Sequence, residues 1–200
     1  MIKPKELISK MWRPEPDDSE RFDYFRFERN ERTTLFPEAE FQKILETLNP
    51  YDLVAYGELE PFYKKICEWL KVNRSNVLLT SGSDAAIKAV FETFVGVGDE
   101  VLISLPNYAM FSVYTGMFGG KEVVHYYEKD LSFDVEKFIQ KINPNTKLIV
   151  VSNPGHSGTV IAESELIVLI EEAGLNNSLV MIDEAYHHFY PNTVVKYVNN

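Results

Sequence analysis

The sequence predicts an α/β fold, a mostly parallel sheet with helices on both faces. Three observations point there. Short apolar, β-rich runs recur at Val77–Leu79, Val101–Ser104, Val123–Tyr126, Leu148–Val151 and Leu179–Ile182. Stretches of helical period separate most of them. The runs are uniformly apolar rather than alternating, as in sheets covered on both faces.

Each element follows from local pattern. Pro14, Pro16, Asp17, Asp18 and Ser19 make a polar, proline-broken stretch, so residues 1–34 read as an arm and residues 35–200 as the α/β domain. Phe62, Ile66, Trp69 and Leu70 form a helical stripe, with Pro61 suited to its first turn. After the first strand, Ile87, Val90, Phe91 and Phe94 give a second stripe. Met110, Tyr114, Met117 and Phe118 give a third, stopped by Gly119 and Gly120. Val135, Phe138, Ile139 and Ile142 give a fourth. Leu166, Leu169 and Ile170 give the last, closed by Gly174.

Composition narrows the function. The chain has 200 residues, 45% hydrophobic, 25% charged and 13% aromatic, an ordinary globular balance large enough for one core. A net charge of −10 argues against nucleic acid and anionic membranes as partners. A local anion site stays open, because backbone N–H groups bind phosphate whatever the net charge. Cys67 has no disulfide partner and no Cys/His ligand spacing around it, so it reads as small core filler. Lys3, Glu6 and Lys10 interrupt the apolar runs of the N-terminus, which reads as neither signal nor span; the cytosol is the expected compartment.

In parallel α/β sheets, ligands bind at the carboxyl ends of the strands. The first strand is followed by Thr80-Ser81-Gly82-Ser83-Asp84-Ala85, where Gly82 permits a tight turn and Ser83 and Asp84 are good N-cap types. Free N–H groups at a helix start suit a phosphate, although alone the segment reads as a plain capped turn. Leu105-Pro106-Asn107-Tyr108 presents an aromatic ring at the same edge, which alone reads as a core tyrosine. Ser152-Asn153-Pro154-Gly155-His156-Ser157-Gly158-Thr159 is dense in turn formers and side-chain donors. The fifth strand runs into Asp183-Glu184-Ala185-Tyr186-His187-His188-Phe189. An acid closing an apolar strand is costly without a cationic or hydrogen-bonding partner, unless it caps the next turn; Asp183 is therefore the most informative residue. Adjacent His187 and His188 point apart on a strand and have no third ligand nearby, so no metal site is read there.

Taken in order, these motifs resemble the fold-type-I pyridoxal-phosphate aminotransferases, and within them the histidinol-phosphate aminotransferase-like group. The resemblance runs from Phe25 to Asn200. It rests on Leu79-Thr80-Ser81-Gly82-Ser83-Asp84-Ala85-Ala86-Ile87, Gly98-Asp99-Glu100-Val101, Pro106-Asn107-Tyr108-Ala109-Met110-Phe111 and Ile182-Asp183-Glu184-Ala185-Tyr186. It implies pyridoxal 5'-phosphate as cofactor and amino acids and oxo acids as substrates. It implies that Ser83 and Asp84 hold the phosphate and that Tyr108 stacks on the pyridine ring. Asp183 would pair with the protonated ring nitrogen, and Tyr186 would bond the phenolic oxygen. Tyr56, in Ala55-Tyr56-Gly57-Glu58, resembles the tyrosine that reaches the phosphate of the partner subunit, implying a homodimer. Phe27-Glu28-Arg29-Asn30-Glu31-Arg32 resembles the arm that lies near the substrate, which makes Asn30 a candidate substrate residue.

The pattern also departs from the family. Its Asn-Pro-x-Asn-Pro-Thr-Gly loop is shortened here to Asn153-Pro154-Gly155-His156-Ser157-Gly158. Asn153 or His156 would then replace the second asparagine, which bonds the ring oxygen. The family's Schiff-base lysine, in a Ser-x-Ser-Lys context, is expected beyond Asn200, with the small domain and the arginine for the substrate carboxylate. Lys196, in Val195-Lys196-Tyr197, does not match that context and reads as a surface lysine. The resemblance thus implies an incomplete large domain, inactive and either unstable or rearranged as these 200 residues alone. Other readings are a non-catalytic cofactor-binding or dimerising remnant, and a decarboxylase of the same fold. A generic nucleotide-binding domain fits less well, for want of a Gly-x-Gly-x-x-Gly or Gly-Lys-Ser/Thr loop.

Overall fold

The computed structural model describes residues 2–9, 21–27 and 29–198. The expected stretch from Pro14 to Ser19 and the arm residue Glu28 lie outside these. The chain divides into two compact units, Trp12–Phe62 and Met1–Met11 with Tyr63–Asn200.

In the smaller unit, Arg21 and Arg26 both pair with Glu31, at 2.6 and 3.0 Å. A helix over Glu38–Thr47 (α2; α1 is the short Glu6–Ser9) opens with Glu38 and Glu40, charges that suit the positive end of its dipole. The sequence reading assigned no element here, although Phe41, Ile44, Leu45 and Leu48 repeat at helical spacing. Asn49 then caps a turn at Pro50–Leu53, accepting from the Tyr51 N–H at 2.9 Å while its own N–H donates to Asp52.

The helix α3 (Glu60–Leu70) matches the first predicted stripe. The strand expected at Val77–Leu79 does not form. β-rich composition sets an extended backbone, but a strand also needs a neighbour to complete its ladder. Among the described residues no strand pairs with this segment; the Leu79 N–H donates instead to the Tyr63 hydroxyl at 3.0 Å.

The remaining predicted strands form β1 (Glu100–Leu105), β2 (Lys121–Tyr126), β3 (Thr146–Ser152) and β4 (Leu179–Asp183). They make one sheet in the order β2-β1-β3-β4, parallel throughout. The helices α4 (Gly82–Phe94), α5 (Met110–Phe118), α6 (Val135–Ile139) and α7 (Glu163–Leu175) accompany them. Alternation along the strands divides the core into two layers. Val101, Ile103, Leu148 and Val150 pack with Ile87 and Phe91 of α4 and with Phe111 and Tyr114 of α5. Leu102, Ile149 and Val151 pack with Val135 and Phe138 of α6 and with Leu166, Leu169 and Ala173 of α7. Both faces are therefore covered, as the uniformly apolar strands require.

Two helix ends show how the chain turns. Gly119 closes α5 in the left-handed region at φ 82°, as its sequence suggests. Gly174, expected to close α7, lies inside it. The stop falls instead at Asn176, with Asn177 in the left-handed region at φ 54°. Asparagine tolerates that conformation because its short polar side chain bonds locally. Among the described residues, no helix is long and apolar enough to cross a membrane.

Candidate functional site

Parallel pairing brings the carboxyl ends of all four strands to one edge. Leu105 stands opposite Tyr126, and Ser152 opposite Asp183. Side-chain alternation then assigns faces. Val150 and Met181 belong to the α4–α5 layer, so Ser152 and Asp183, two residues further along each strand, face that layer too.

The segment before α4 turns at Gly82, whose φ is 77°. Helix α4 begins at Gly82 itself, so Ser83 and Asp84 lie inside its first turn rather than at its cap. Ser81 occupies the cap position, and no side chain caps the helix. The N–H groups of that turn lack helical acceptors and carry the positive end of the dipole, which suits an anion. Ser83 is exposed.

The Asp84 carboxylate is turned toward two tyrosines. Tyr108 donates to Asp84 Oδ1 at 3.3 Å and Tyr114 donates to Oδ2 at 2.9 Å. Tyr108 follows a cis Leu105–Pro106 bond and is 41% exposed, with Phe111 edge-on at 5.8 Å between ring centroids. Its backbone is held as well: the Tyr108 N–H donates to Asn107 Oδ1 at 2.8 Å. That oxygen also accepts from the Ser152 hydroxyl at 2.8 Å, while Asn107 Nδ2 donates to the buried Ser104 at 3.2 Å. Sequence reasoning passed over Asn107, Ser152 and Tyr114 as site residues. Tyr114 counted as one position in an apolar stripe, and nothing local distinguishes a tyrosine used for its ring from one used for its hydroxyl.

Asp183 ends β4 half-buried. Burial raises its carboxyl above the ordinary range and neighbouring Glu184 adds to that, against the Ala185 N–H, which donates to Asp183 Oδ1 at 2.9 Å. That bond makes it a turn-capping carboxylate. Among the described residues it has no ion-pair partner, so no neighbouring cation favours its charged form. Tyr186 is half-buried three residues on and opens a single turn, His187–Phe189. The two histidines therefore sit on a turn and not on a strand, with ring centroids 5.3 Å apart; His188 stacks on Trp69.

The loop after β3 separates its two candidates. Asn153 is buried, and its amide is fully engaged with Ile161. Oδ1 accepts from the Ile161 N–H at 2.9 Å and Nδ2 donates to its carbonyl at 3.3 Å. His156 is exposed at the loop tip. Lys196 pairs with Glu163 at 2.7 Å, its side chain 57% exposed, consistent with a surface lysine. In the smaller unit, Tyr56 is fully exposed and Asn30 is exposed.

An uncapped helix start, an aromatic face and a half-buried carboxylate without a cation thus share one edge of one unit. They fit a phosphorylated aromatic ring bearing a positive nitrogen.

Comparison with known proteins gives the family. The family profile "Aminotransferase class I and II" matches residues 33–199. A histidinol-phosphate aminotransferase of Thermoanaerobacter pseudethanolicus is 30% identical over 179 residues, covering 88% of this chain and 50% of the relative. The chain thus spans about half the length of the curated relatives that it matches most fully. Among solved structures, the alanine aminotransferase of Pyrococcus furiosus superposes with a TM-score of 0.62 at 28% identity, covering 74% of this chain and 40% of that one. The histidinol-phosphate aminotransferase of Sinorhizobium meliloti, solved with pyridoxal-5'-phosphate, gives a TM-score of 0.66 at 19% identity over 75% of this chain and 41% of that one, a likeness of fold.

Proposed function

The chain belongs to the class I and II aminotransferase family, and on that premise we propose that it carries the cofactor-holding region of a pyridoxal-phosphate-dependent aminotransferase. The reaction is transfer of an amino group between an amino acid and a 2-oxo acid or phosphorylated ketone. The names of the curated relatives favour a phosphorylated substrate.

One observation carries the reading: the half-buried Asp183 carboxylate, without a cation, on the sheet face shared by α4 and α5. In this assignment the first-turn N–H groups of Ser83 and Asp84 hold the phosphate and Tyr108 covers one ring face. Asp183 holds a proton on the ring nitrogen, and Tyr186 donates to the phenolic oxygen. The bound cofactor supplies an electron sink for the substrate carbon that loses its proton. Asp183, itself half-buried, would sustain that sink by keeping the nitrogen charged. The exposed Tyr56 is read as serving the phosphate of a partner subunit, which makes the working unit a homodimer. Its place is read as the cytosol.

The test is titration of the chain with pyridoxal 5'-phosphate, followed by the visible absorption of the cofactor. Saturable uptake is expected, weakened roughly tenfold or more in Asp183→Ala by loss of a charge-assisted contact. No saturable uptake, or uptake indifferent to Asp183, overturns the reading.

A further inference from the structure

Tyr114 is an unusual core residue. It is 4% exposed and packs against Phe91, at 6.0 Å between ring centroids, yet its hydroxyl reaches the first turn of α4 to donate to Asp84 Oδ2 at 2.9 Å. Asp84 also accepts from Tyr108 through Oδ1. One carboxylate therefore bridges a buried tyrosine and the half-exposed tyrosine at the strand ends.

We propose that Tyr114 is a positioning residue which, through Asp84, presets the position of the Tyr108 ring and holds the Asp84 charge away from the anion site at the start of α4. The inference rests on the cofactor assignment made above. Two physical points support it. An aromatic ring used as a stacking platform must be held in place; Tyr108 is held at both ends of its long axis, with Phe111 perpendicular to it at 5.8 Å between centroids. Asn107 Oδ1 takes its N–H and Asp84 takes its hydroxyl. A carboxylate in the first turn would also repel a phosphate docking on the same N–H groups, because like charges a few ångströms apart destabilise each other where water is scarce. Two hydroxyl donors turn that carboxylate toward α5 and leave the N–H groups to the ligand. Helix α5 is anchored on the other side by Phe111 and Tyr114 in the core, so the position of the clamp is set by packing.

The experiment compares the full chain with Tyr114→Phe, which keeps the ring and its packing and loses only the hydroxyl. Two readouts are taken. Fluorine NMR of fluorotyrosine-labelled protein without cofactor reports on the Tyr108 ring, its signal assigned by Tyr108→Phe. Titration with pyridoxal 5'-phosphate, and separately with unphosphorylated pyridoxal, reports on binding. The expected result is a Tyr108 signal that shifts and changes width in Tyr114→Phe. Affinity for the phosphorylated probe should fall about tenfold, the loss of one hydrogen bond to a charged group, with a smaller fall for pyridoxal. In an Asp84→Ala background, Tyr114→Phe should have no further effect. An unchanged Tyr108 signal, unchanged affinity, or full additivity with Asp84→Ala overturns the clamp. If the parent chain binds neither probe while the Tyr108 signal still responds to Tyr114→Phe, the cofactor assignment falls and the positioning of Tyr108 stands.

Discussion

Asp183 lies directly opposite Ser152 in the parallel pairing of β4 with β3, and one residue later the Asn153 N–H closes the ladder on the Asp183 carbonyl at 2.9 Å. The two side chains share the α4–α5 face. Ser152 donates to Asn107 and so reaches the backbone of Tyr108, whereas the Asp183 carboxylate, among the described residues, accepts from the Ala185 N–H alone. Neighbouring strand ends are thus finished in opposite ways. One side chain bonds across to the loop after β1, and the other bonds only within its own turn.

That difference has a consequence for stability. Burial, its largest cause, raises the folded carboxyl of Asp183 above the ordinary 3.8. The folded state therefore binds the proton more tightly than the unfolded state. The contribution of Asp183 is fully present below 3.8 and is lost as pH rises through the folded value. Asp183→Asn, which carries no charge at any pH, is expected to be more stable than the parent at neutral pH and to lose that advantage in acid. Urea unfolding of both proteins across this range measures it. A parent that is the more stable at neutral pH would contradict the account.

How much of this could be read in the sequence depended on how local each signal was. The runs around Val101, Val123, Leu148 and Leu179 became strands because each is apolar on both faces and flanked by a helical stripe. Val77–Leu79 has the same local look, but whether it pairs depends on a neighbour that its own residues do not specify. Asp183 stood out because a carboxylate closing an apolar run conflicts with its surroundings. The Asp84–Tyr114 bond spans 30 residues of sequence, and neither partner conflicts with its own surroundings. The sequence reading has His187 and His188 pointing apart on a strand; the chain instead turns after Asp183, whose carboxylate takes the Ala185 N–H, and both histidines fall on the turn His187–Phe189.

His125 predicts sensitivity of the opposite sign. It is 4% exposed on β2, between Phe133 and Phe138, and its Nε2 has no partner. Burial first, then Lys141 and more weakly Lys137, lower its pKa from 6.5, against Asp134 and Glu128. A depressed histidine contributes stability above 6.5 that is lost as pH falls through its folded value. His125→Phe joins the surrounding rings without a titrating group. It should flatten the loss of stability in mild acid, seen as melting temperatures that no longer fall between neutral and mildly acidic buffer.

The two core layers predict equal sensitivity at adjacent residues. Leu102 and Ile103 are both fully buried, one in each layer. Leu102→Ala and Ile103→Ala should each cost about 2–5 kcal/mol, because each leaves a cavity that the sheet cannot close. Denaturant midpoints would show it, and a near-neutral result at either position would mean that the helices on that side do not cover the sheet.

Asn153 and His156 can be separated by what each loses. Both bonds of the Asn153 amide go to the Ile161 backbone inside the protein, so Asn153→Ala leaves a buried N–H and a buried carbonyl unpaired. Each unsatisfied group costs about 1–3 kcal/mol, so the variant should lose several kcal/mol of stability. His156 makes no such internal commitment and is exposed. His156→Ala should leave the unfolding midpoint nearly unchanged. If this histidine replaces the family's second asparagine, the substitution should instead shift the visible absorption of bound pyridoxal 5'-phosphate, because the hydrogen bond to the phenolic oxygen tunes that chromophore. A destabilised His156→Ala with an unaltered spectrum would give the loop a purely structural role. A stable Asn153→Ala with an altered spectrum would mean that Asn153 turns away from Ile161 to meet the cofactor.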